Sequence, residues 1–461
     1  MKRLLAHFAG AMRGTLLGAD AAFAAVSTDS RTLERGELFV ALSGPNFDAH
    51  DFVAAAGARG ASGAVVARRL PLGLPQIVVD DTLLALQRAA EAWRGQFPIP
   101  VVAVAGSNGK TTTKELIASI LGEQGPCHAT RGNLNNHIGV PLTLLGLEHH
   151  HATAVVEIGA NHAGDVAGLV PLVRPTVGVV TNAGAEHLEG FGDLDGVARA
   201  EGELFAGLGP GATAIINADD AYAALWQGQN RAARRLTFGF AASADFRGAR
   251  PQTTDGGAGQ QFTLLTPAGE VTVRLALAGR HNVVNALGAA AAAHAAGAHL
   301  SAIAAGLGRM RAVGGRLQLQ PALCGARVID DSYNANPSSL TAALQVLAAI
   351  DGERWLVLGD MAELGAHARA AHVTAGREAR AAGVSRLFAL GALTGDAVES
   401  FGAGAEWFPD AATLAARVVA LLASGVTVLI KGSRLNRLER VVAALSAPAV
   451  GPGPSRATGA H

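Results

Sequence analysis

The sequence has few of the features that mark secreted, metal-binding or membrane proteins. Its two cysteines, Cys127 and Cys324, are far apart and lack the spacing of metal ligands. Two free, buried thiols are therefore expected, with no disulfide. No apolar run reaches the roughly 18 residues that a membrane helix needs. His7 and Arg13 interrupt the N-terminal apolar residues, so a signal peptide is not predicted.

The sequence also has no excess of charge of either sign, because 37 Lys and Arg residues balance 37 Asp and Glu residues. A nucleic-acid-binding protein usually carries a basic surplus, so this class of function is disfavoured. The 461 residues are too many for one hydrophobic core, and about three domains are expected. We therefore expect a soluble cytoplasmic enzyme and a monomer, with neither nucleic acid nor membrane as a partner.

Residues 101–121, VVAVAGSNGKTTTKELIASIL, have the pattern of a nucleotide-binding loop. The segment predicts a buried strand at 101–105, a glycine turn and a helix. Gly106 and Gly109 allow backbone N–H groups to converge on an anion at the helix N-terminus. Lys110 then supplies a charge for the outer phosphates of ATP, and the Thr111 hydroxyl is placed to ligate Mg²⁺. The predicted phosphate-binding residues are Gly106, Ser107, Asn108, Gly109, Lys110, Thr111 and Thr112.

The loop is shorter than the general phosphate-loop pattern, which has glycine at the position of Val104. A switch or transport ATPase that signals by a change of shape is the alternative from another functional class. Such a protein would be expected to have the full-length loop and partner surfaces in place of further substrate domains. The short loop therefore favours an enzyme.

The strand and helix patterns predict three α/β domains, and the Pro/Gly-rich, polar end of the sequence predicts a flexible tail. Their predicted bounds are 1–82, 83–312, 313–447 and, for the tail, 448–461. Strand and helix patterns alternate in the second and third domains, which predicts mainly parallel sheets covered by helices. The candidate strands are 38–42, 153–158, 176–181, 212–217, 327–331, 354–360, 386–391 and 426–431. Helices are predicted at 83–95 and 279–298, and a hairpin at 261–277.

Three polar side chains of the second domain fall at or beyond strand ends, where ligands bind in parallel sheets. They are Glu157, His187 and Glu201. A lone glutamate or histidine is more often a surface or capping residue. Gathered around a phosphate loop, the three are better explained as Mg²⁺ ligands or as groups that support them. Imidazole is an uncommon Mg²⁺ ligand, so chemistry alone favours His187 less.

Polar residues are also concentrated in the first domain and at the strand ends of the third. In the first domain, spacing alone favours turns and capping, with Asp48 or Asp51 starting a short helix. His281 and Asn282 can cap the helix that they begin, or face a nucleotide base. In the third domain, the strand ends suggest a crevice along one edge of the sheet. The residues of the two sets are Ser30, Arg31, Asn46, Asp48 and His50, and Asp330, Asp331, Tyr333, Asn334, Asn336, Asp360, Lys431 and Arg434.

Short segments along almost the whole chain resemble those of the Mur ligases, the ATP-dependent enzymes that build the peptide of bacterial cell-wall precursors. They are STDSR and LFVAL near the start, GSNGKTTTK, GNLNNHIGVPLTLL, EIGANHAGD, HLEGF, GRHN, DDSYNANPSSL, GDMAELG and KGSR. The resemblance implies an α/β fold with an N-terminal domain for the UDP-sugar, a central P-loop ATPase domain and a Rossmann-like C-terminal domain. DSYNANP and GDMAELG resemble the members that add D-alanyl-D-alanine to UDP-N-acetylmuramoyl-tripeptide through an acyl phosphate. A diaminopimelate- or lysine-adding ligase, or folylpolyglutamate synthetase, is the alternative within the family.

The resemblance also implies roles for individual residues. Lys110, His187 and Glu201 would be catalytic, and Thr111, Glu157, His187 and Glu201 would serve magnesium. ATP would also meet His281, Asn282, Arg316 and Asp331. The substrate residues would be Ser30, Arg31, Asp48, His50, Asn135, Asn136, Asn334, Asn336 and Lys431. For the first-domain residues, the resemblance thus reverses the preference for simple capping.

One position departs from the family pattern. The family has a lysine at position 201 that reacts with CO₂ to form a metal-holding carbamate, and this chain has Glu201. Glutamate cannot be carbamylated, but it brings a carboxylate of the same charge on a shorter arm. The sequence therefore predicts that Glu201 replaces the carbamate, directly or through a water molecule.

Overall fold

The computed structural model of the protein describes residues 3–45 and 47–446. The predicted tail, residue 447 and Asn46 lie outside the described residues. The chain forms two compact units. One contains residues 1–250, 262–273 and 282–310, and the other contains 251–261, 274–281 and the chain from 311 onward. The proposed boundaries at 82 and 312 stay a prediction.

Residues 3–45 and 47–94 form a five-stranded sheet, a two-stranded sheet and three α-helices. The strands are β1 (Thr15–Leu17), β2 (Val26–Ser27), β3 (Leu38–Val40), β4 (Ser43–Gly44), β5 (Phe47–Asp48), β6 (Gly63–Val66) and β7 (Gln76–Val78). The helices are α1 (Leu5–Met12), α2 (Val53–Ala58) and α3 (Thr82–Arg94). Five strands are ordered β1-β7-β6-β3-β2, and β4 pairs with β5. The predicted helix at 83–95 is confirmed, and Asp81 caps it by accepting from Leu83 N at 2.8 Å and Leu84 N at 2.9 Å.

The central sheet has nine strands, ordered β16-β15-β14-β13-β12-β11-β8-β10-β9. They are β8 (Val101–Ala105), β9 (Cys127–Ala129), β10 (Thr153–Glu157), β11 (Val177–Val180), β12 (Thr213–Asn217), β13 (Arg234–Gly239), β14 (Phe246–Thr254), β15 (Gly259–Thr266) and β16 (Gly269–Leu275). Every residue of β8 is buried, as expected of a parallel strand covered on both faces. The predicted parallel strands and the β15–β16 hairpin are confirmed.

Nine helices follow the strands in this part of the chain. They are α4 (Lys110–Gly122), α5 (Gly139–Leu145), α6 (Asp165–Val173), α7 (Leu188–Phe191), α8 (Leu194–Glu201), α9 (Glu203–Ala206), α10 (Ala223–Gln229), α11 (Arg280–Ala295) and α12 (Leu300–Arg309). Helix α11 is rich in alanine, and the residues from Leu287 to Ala293 are all buried. Small side chains allow such a helix to pack closely against its neighbours.

The second unit is organised around a six-stranded sheet, ordered β17-β18-β22-β19-β20-β21. The strands are β17 (Gln318–Pro321), β18 (Arg327–Asp331), β19 (Glu353–Gly359), β20 (Arg386–Leu390), β21 (Ala405–Phe408) and β22 (Val426–Lys431). The helices are α13 (Pro337–Ala348), α14 (Ala368–Ala381), α15 (Gly395–Phe401), α16 (Ala411–Leu421) and α17 (Glu439–Leu445). Apart from antiparallel β17, the pairs are parallel, so the predicted Rossmann-like sheet is confirmed.

The cysteines are free, as predicted, but they are not buried. Cys127 is half-buried and Cys324 is exposed. Cys324 lies in a turn with φ of 56°, where no apolar pattern determines its burial. In the chain that the structure describes, no helix is long and apolar enough to cross a membrane.

Candidate active site

The phosphate loop begins where β8 ends and depends on two glycines in left-handed backbone conformations. Gly106 has φ of 117° and Gly109 has φ of 81°. A Cβ atom at Gly106 would collide with the Thr181 hydroxyl, and one at Gly109 would collide with the side-chain amide of Asn285. Only glycine therefore fits at either position. Helix α4 begins directly after the turn, so its free N–H groups face the position that an anion would take.

The loop is held in shape by the segment that follows β11. Ser107 N donates to Asn182 O at 2.9 Å, and Asn108 N donates to Asn182 Oδ1 at 3.1 Å. The Thr181 hydroxyl donates to Asn108 O at 2.7 Å, while the Ser107 hydroxyl accepts from Gly184 N at 2.8 Å. These bonds fix the loop before any ligand arrives.

Lys110 is folded back onto its own loop and is largely buried. Its Nζ donates to Gly106 O at 2.6 Å, Ser107 O at 3.0 Å and Glu186 Oε1 at 3.0 Å. The side chains of Lys110 and Glu186 are 15% and 9% exposed, so this ion pair is shielded from water. Lys110 therefore makes more contacts than a lysine at an exposed loop tip would make. Glu186 is a site residue that no sequence pattern predicts.

Three carboxylates set the charge of Lys110. Burial alone would lower the pKa of its ammonium group. Glu186, Glu201 and Glu157 together outweigh this effect, so the pKa of Lys110 lies above its usual value. Lys110 therefore stays charged at physiological pH.

Glu157 ends β10 beside Val104 of β8, which places its carboxylate next to the loop. Its Oε1 accepts from Asn135 Nδ2 at 2.8 Å, and its backbone N–H donates to Thr130 Oγ1 at 3.0 Å. Its other oxygen, Oε2, is buried and has no hydrogen-bond partner among the described residues. A buried carboxylate oxygen without a partner is costly unless a ligand satisfies it. A hard cation such as Mg²⁺ fits this position.

Glu201 also reaches the loop, from the last residue of α8. Its Oε2 accepts from Gly106 N at 2.7 Å, and the side chain is buried. The indole of Trp226 donates to Ala198 O at 2.9 Å and holds the helix in place. Burial raises the pKa of Glu201 to about 7, against the opposing effect of Lys110. The predicted position beside the loop is therefore observed, and the metal role stays a prediction.

The other predicted metal residues are less closely grouped. Thr111 is buried in the first turn of α4. His187 precedes α7 with φ of 48°, and its ring lies edge-on to Phe191 with 6.5 Å between centroids. Within residues 3–45 and 47–446, no three side chains of His, Cys, Asp or Glu form a ready-made metal site. Because Mg²⁺ commonly takes water and phosphate oxygens as ligands, a site completed by nucleotide still fits.

The predicted base-binding residues lie at the start of α11. Asn282 Oδ1 accepts from Asn285 Nδ2 at 3.0 Å, and Asn285 is the residue that crowds Gly109. Asn285 is not predicted as a site residue, although it lies one helical turn after Asn282. Burial, with a smaller contribution from Lys431, lowers the pKa of His281 to about 4. His281 is therefore neutral at physiological pH and can both donate and accept hydrogen bonds.

The second unit has a buried ion pair at the carboxyl edge of its sheet. Asp331 and Lys431 end the paired strands β18 and β22, and Lys431 Nζ lies 2.5 Å from Asp331 Oδ2. Lys431 also donates to Asn334 O at 3.0 Å, and Asp331 Oδ1 accepts from Leu317 N at 3.2 Å. Burial raises the pKa of Asp331, and Lys431 opposes this shift. The predicted crevice is thus lined by a fixed charge pair.

Replacing Asp331 by alanine is expected to lower the free energy of unfolding of the second unit by about 3 kcal/mol, because Lys431 would stay buried without its partner. Urea unfolding followed by circular dichroism measures this loss. Asp351→Ala is the control, because Asp351 is exposed in the loop between α13 and β19 of the same unit. Equal unfolding midpoints for the two variants would show that the ion pair does not stabilise the fold.

Two arginines flank the ring of Tyr333 in the same region. The guanidinium carbon of Arg316 lies 4.3 Å from the ring centroid, and that of Arg434 lies 5.9 Å from it. Cation–π contacts of this kind orient a guanidinium group without using its N–H donors. Arg316 therefore keeps donors that could meet a phosphate.

Two predicted substrate residues of the second unit have structural partners. Asn336 caps α13 in a capping box, in which its Oδ1 accepts from Ser339 N at 2.8 Å. Asn334 is exposed, and its Oδ1 accepts from Ala335 N at 2.9 Å. Among the described residues, the side-chain N–H groups of Asn334 have no hydrogen-bond acceptor, so this exposed residue can donate to a substrate.

In the first domain, the capping prediction for Asp48 is confirmed. Asp48 Oδ1 accepts from His50 N at 3.0 Å and contacts His50 Nδ1 at 2.5 Å. His50 Nε2 accepts from Ala67 N at 2.7 Å, so its Nδ1 carries the proton. Arg31 pairs with Asp29 at 2.7 Å and is exposed, as Ser30 is in part. Capping and substrate binding are compatible here, and the substrate role stays a prediction.

The remaining predicted substrate residues, Asn135 and Asn136, lie before α5. Asn135 donates to Glu157, while Asn136 Oδ1 accepts from Ile138 N at 3.1 Å and Gly139 N at 2.9 Å. Asn135 therefore links the carboxylate beside the loop to the surface segment around it.

A cavity of about 470 Å³ lies at the opposite, amino edge of the central sheet, where Arg94 and Arg174 line it. Arg94 Nε donates to Val173 O at 2.9 Å, and Arg174 donates to Glu91 O at 2.9 Å. These carbonyls belong to the C-terminal turns of α6 and α3, whose negative ends the two arginines offset. The cavity is therefore structural, and the chemistry belongs to the loop.

Comparison with known families and proteins supports the same chemistry. A family model of the Mur ligase middle domain matches residues 104–293, and one of the Mur ligase glutamate ligase domain matches residues 315–434. The first match contains the phosphate loop, and the second contains the Asp331–Lys431 pair.

Individual relatives match over nearly the full length. The UDP-N-acetylmuramoyl-tripeptide–D-alanyl-D-alanine ligase of Escherichia coli K12 is 47% identical over 444 residues, which are 96% of this chain and 98% of the relative. A crystal structure of MurF from Acinetobacter baumannii is 35% identical, with a TM-score of 0.88 and coverage of 95% of this chain and 97% of that chain. MurF from Thermotoga maritima in complex with ADP is 25% identical, with a TM-score of 0.81 and coverage of 91% and 96%. The chain therefore belongs to the Mur ligase family, among its UDP-N-acetylmuramoyl-tripeptide–D-alanyl-D-alanine ligases.

Proposed function

We propose that this protein joins D-alanyl-D-alanine to UDP-N-acetylmuramoyl-tripeptide, with ATP as the source of energy, in the synthesis of peptidoglycan precursors. The observation that supports this most directly is the 47% identity to the Escherichia coli ligase over 96% of the chain. The relative from Thermotoga maritima binds ADP, which is the expected product of ATP use. One substrate is linked to a nucleotide and the other is a small polar dipeptide. The cytoplasm is the proposed location.

The reaction forms an amide bond through an acyl phosphate. The tripeptide carboxylate attacks the γ-phosphorus of ATP, and ADP leaves with the electrons of the broken P–O bond. The amine of D-alanyl-D-alanine then attacks the acyl carbon, phosphate leaves and the amine loses a proton. In the first step two anions must meet, and each charge pair costs about 4 kcal/mol at 4 Å and an effective dielectric constant near 20. The buried ammonium group of Lys110 can offset this repulsion because its charge is maintained.

We propose Mg²⁺ as the second source of positive charge. Glu157 would hold it through its unpartnered Oε2, with Thr111, His187 and Glu201 as further contacts and nucleotide oxygens completing the shell. When bound, the ion neutralises charge on the transferring phosphoryl group. The chain's own part is to orient the carboxylates and to keep the loop rigid.

Contacts with the substrates are proposed for residues of each unit. Ser30, Arg31, Asp48 and His50 would contact the UDP group, and Asn135 and Asn136 the peptide. Asn334, Asn336 and Lys431 would lie near the incoming dipeptide, with Arg316 and Asp331 directed to the nucleotide. The ion pair of Asp331 and Lys431 is buried, so these two side chains hold fixed positions within the second unit.

Sustained release of ADP is expected to require both peptide substrates, because the phosphoryl acceptor is a bound carboxylate and not water. A coupled ADP assay across UDP-muramoyl peptides, with and without D-alanyl-D-alanine, measures this dependence. Brisk ATP hydrolysis by the protein alone, with no amide product when the peptides are added, would instead favour a switch ATPase.

A further inference from the structure

Glu186 occupies a position to which neither the family pattern nor the predicted site assigns a role. It lies between β11 and α7, and its side chain is 9% exposed. Its Oε1 accepts from Lys110 Nζ at 3.0 Å. The other two donors of the ammonium group are bonded to Gly106 O and Ser107 O. All three N–H groups of Lys110 are thus already in use.

A phosphate can therefore bind to Lys110 only if one of these three bonds is released or shared. The two carbonyls belong to the loop that must itself surround the phosphate, and they move only if the loop is rebuilt. The Glu186 side chain is the partner that can turn away. If the Glu186 side chain turns away and no cation neutralises its charge, a buried carboxylate is left next to the triphosphate.

The local charges make this exchange unfavourable for metal-free nucleotide. Glu157, Glu186 and Glu201 all favour the charged form of Lys110, and Glu186 is the one of the three that bonds it directly. A triphosphate adds negative charge of the same sign at close range, where shielding by water is weak. A divalent cation offsets both the phosphates and the displaced carboxylate. Glu186 contributes to the need for a cation more directly than Glu157 or Glu201, because it is the one that bonds Lys110 Nζ.

We propose that Glu186 makes nucleotide binding conditional on a divalent cation, by occupying Lys110 until the cation arrives with the phosphates. Glu186 is in this sense a positioning residue that acts through Lys110. The inference rests on the proposed function, because it takes the loop to be the ATP site. It concerns the binding step only and is independent of the peptide substrates.

The test is calorimetric titration of the full-length protein with ATP, once with EDTA and once with excess MgCl₂. Glu186→Gln keeps the shape of the side chain and removes its charge. Metal-free ATP is expected to bind this variant at least about tenfold more tightly than it binds the wild type, whereas binding with Mg²⁺ should change less. The ratio of the two Kd values is the readout, because a merely structural role would shift both alike.

Glu189→Gln is the matched control, because Glu189 is exposed three residues further on and loses the same charge. Its two Kd values should equal those of the wild type. Metal-free binding that is unchanged or weaker in Glu186→Gln would overturn the proposal, and so would an equal gain in the control. Wild-type protein that fails to bind ATP even with Mg²⁺ would instead contradict the proposed function. Thermal melting confirms that each variant is folded.

Discussion

Replacing Lys110 by methionine is expected to lower kcat roughly 100- to 1000-fold, the range for removing one charge-stabilising donor from a preorganised site. The methionine keeps most of the apolar stem and removes the ammonium group. In the wild type, three glutamates maintain the charge of this ammonium group against the effect of burial, and the methionine supplies no charge in its place. The measurement is steady-state formation of amide product at saturating ATP.

The same substitution is also expected to destabilise the protein, because Glu186 would stay buried without its partner. The double variant Lys110→Met with Glu186→Gln removes both charges and separates the two effects. We expect it to recover the melting temperature while its kcat stays low. Near-normal turnover in folded Lys110→Met protein would show that the loop is not the ATP site. Recovery of kcat in the double variant would show that the loss came from the stranded carboxylate.

The parallel sheets could be predicted from the sequence because their buried strands are continuous apolar runs. Strands β8, β10, β11 and β12 were each predicted to within one residue at either end. Edge strands gave weaker signals, and β17 and β21 were not predicted. Both lie at the edges of their sheet and are only partly buried, so half of the apolar pattern is missing.

The individual site contacts could be predicted only where a local pattern fixes them. The glycines of the loop and the cap at Asp48 follow from short-range backbone geometry. The Lys110–Glu186 pair joins residues 76 positions apart, and no spacing rule connects them. Its formation depends on how the segment after β11 folds over the loop. The burial of Lys110 was missed for the same reason.

Glu201 lies against the phosphate loop, but its burial raises its pKa. Its carboxylate accepts from Gly106 N at 2.7 Å, so its short arm does reach the phosphate-binding turn. With a pKa of about 7, a large fraction is protonated at neutral pH when no metal is bound. A cation that binds nearby favours the ionised form and must displace this proton.

Glu201→Gln is therefore expected to lower kcat by about tenfold or more while ATP still binds, because one carboxylate near the metal is lost. Activity of the wild type should not depend on dissolved CO₂. The apparent affinity for Mg²⁺ should rise in the wild type between pH 6 and pH 8, as Glu201 ionises, and should be flatter in the variant. Kinetics at a series of Mg²⁺ concentrations and pH values measure each of these effects. Glu201→Ala with unchanged kcat and unchanged Mg²⁺ dependence would rule out the role.

The melting temperature of the metal-free protein gives an independent test of whether the charge of Glu201 is unfavourable without metal. An acid whose pKa is raised on folding binds its proton more tightly in the native state, so ionisation costs stability as the pH rises from the unfolded value of 4.5 to about 7. Glutamine accepts the same hydrogen bond from Gly106 without this cost. In EDTA, Glu201→Gln should therefore melt at a higher temperature than the wild type at pH 8 and at a similar one near pH 4.5. A variant that is less stable at pH 8 would show that the Glu201 charge already stabilises the loop without metal. The reduced activity of a more stable variant would instead mean that the wild type keeps an unfavourable buried charge because the metal needs it.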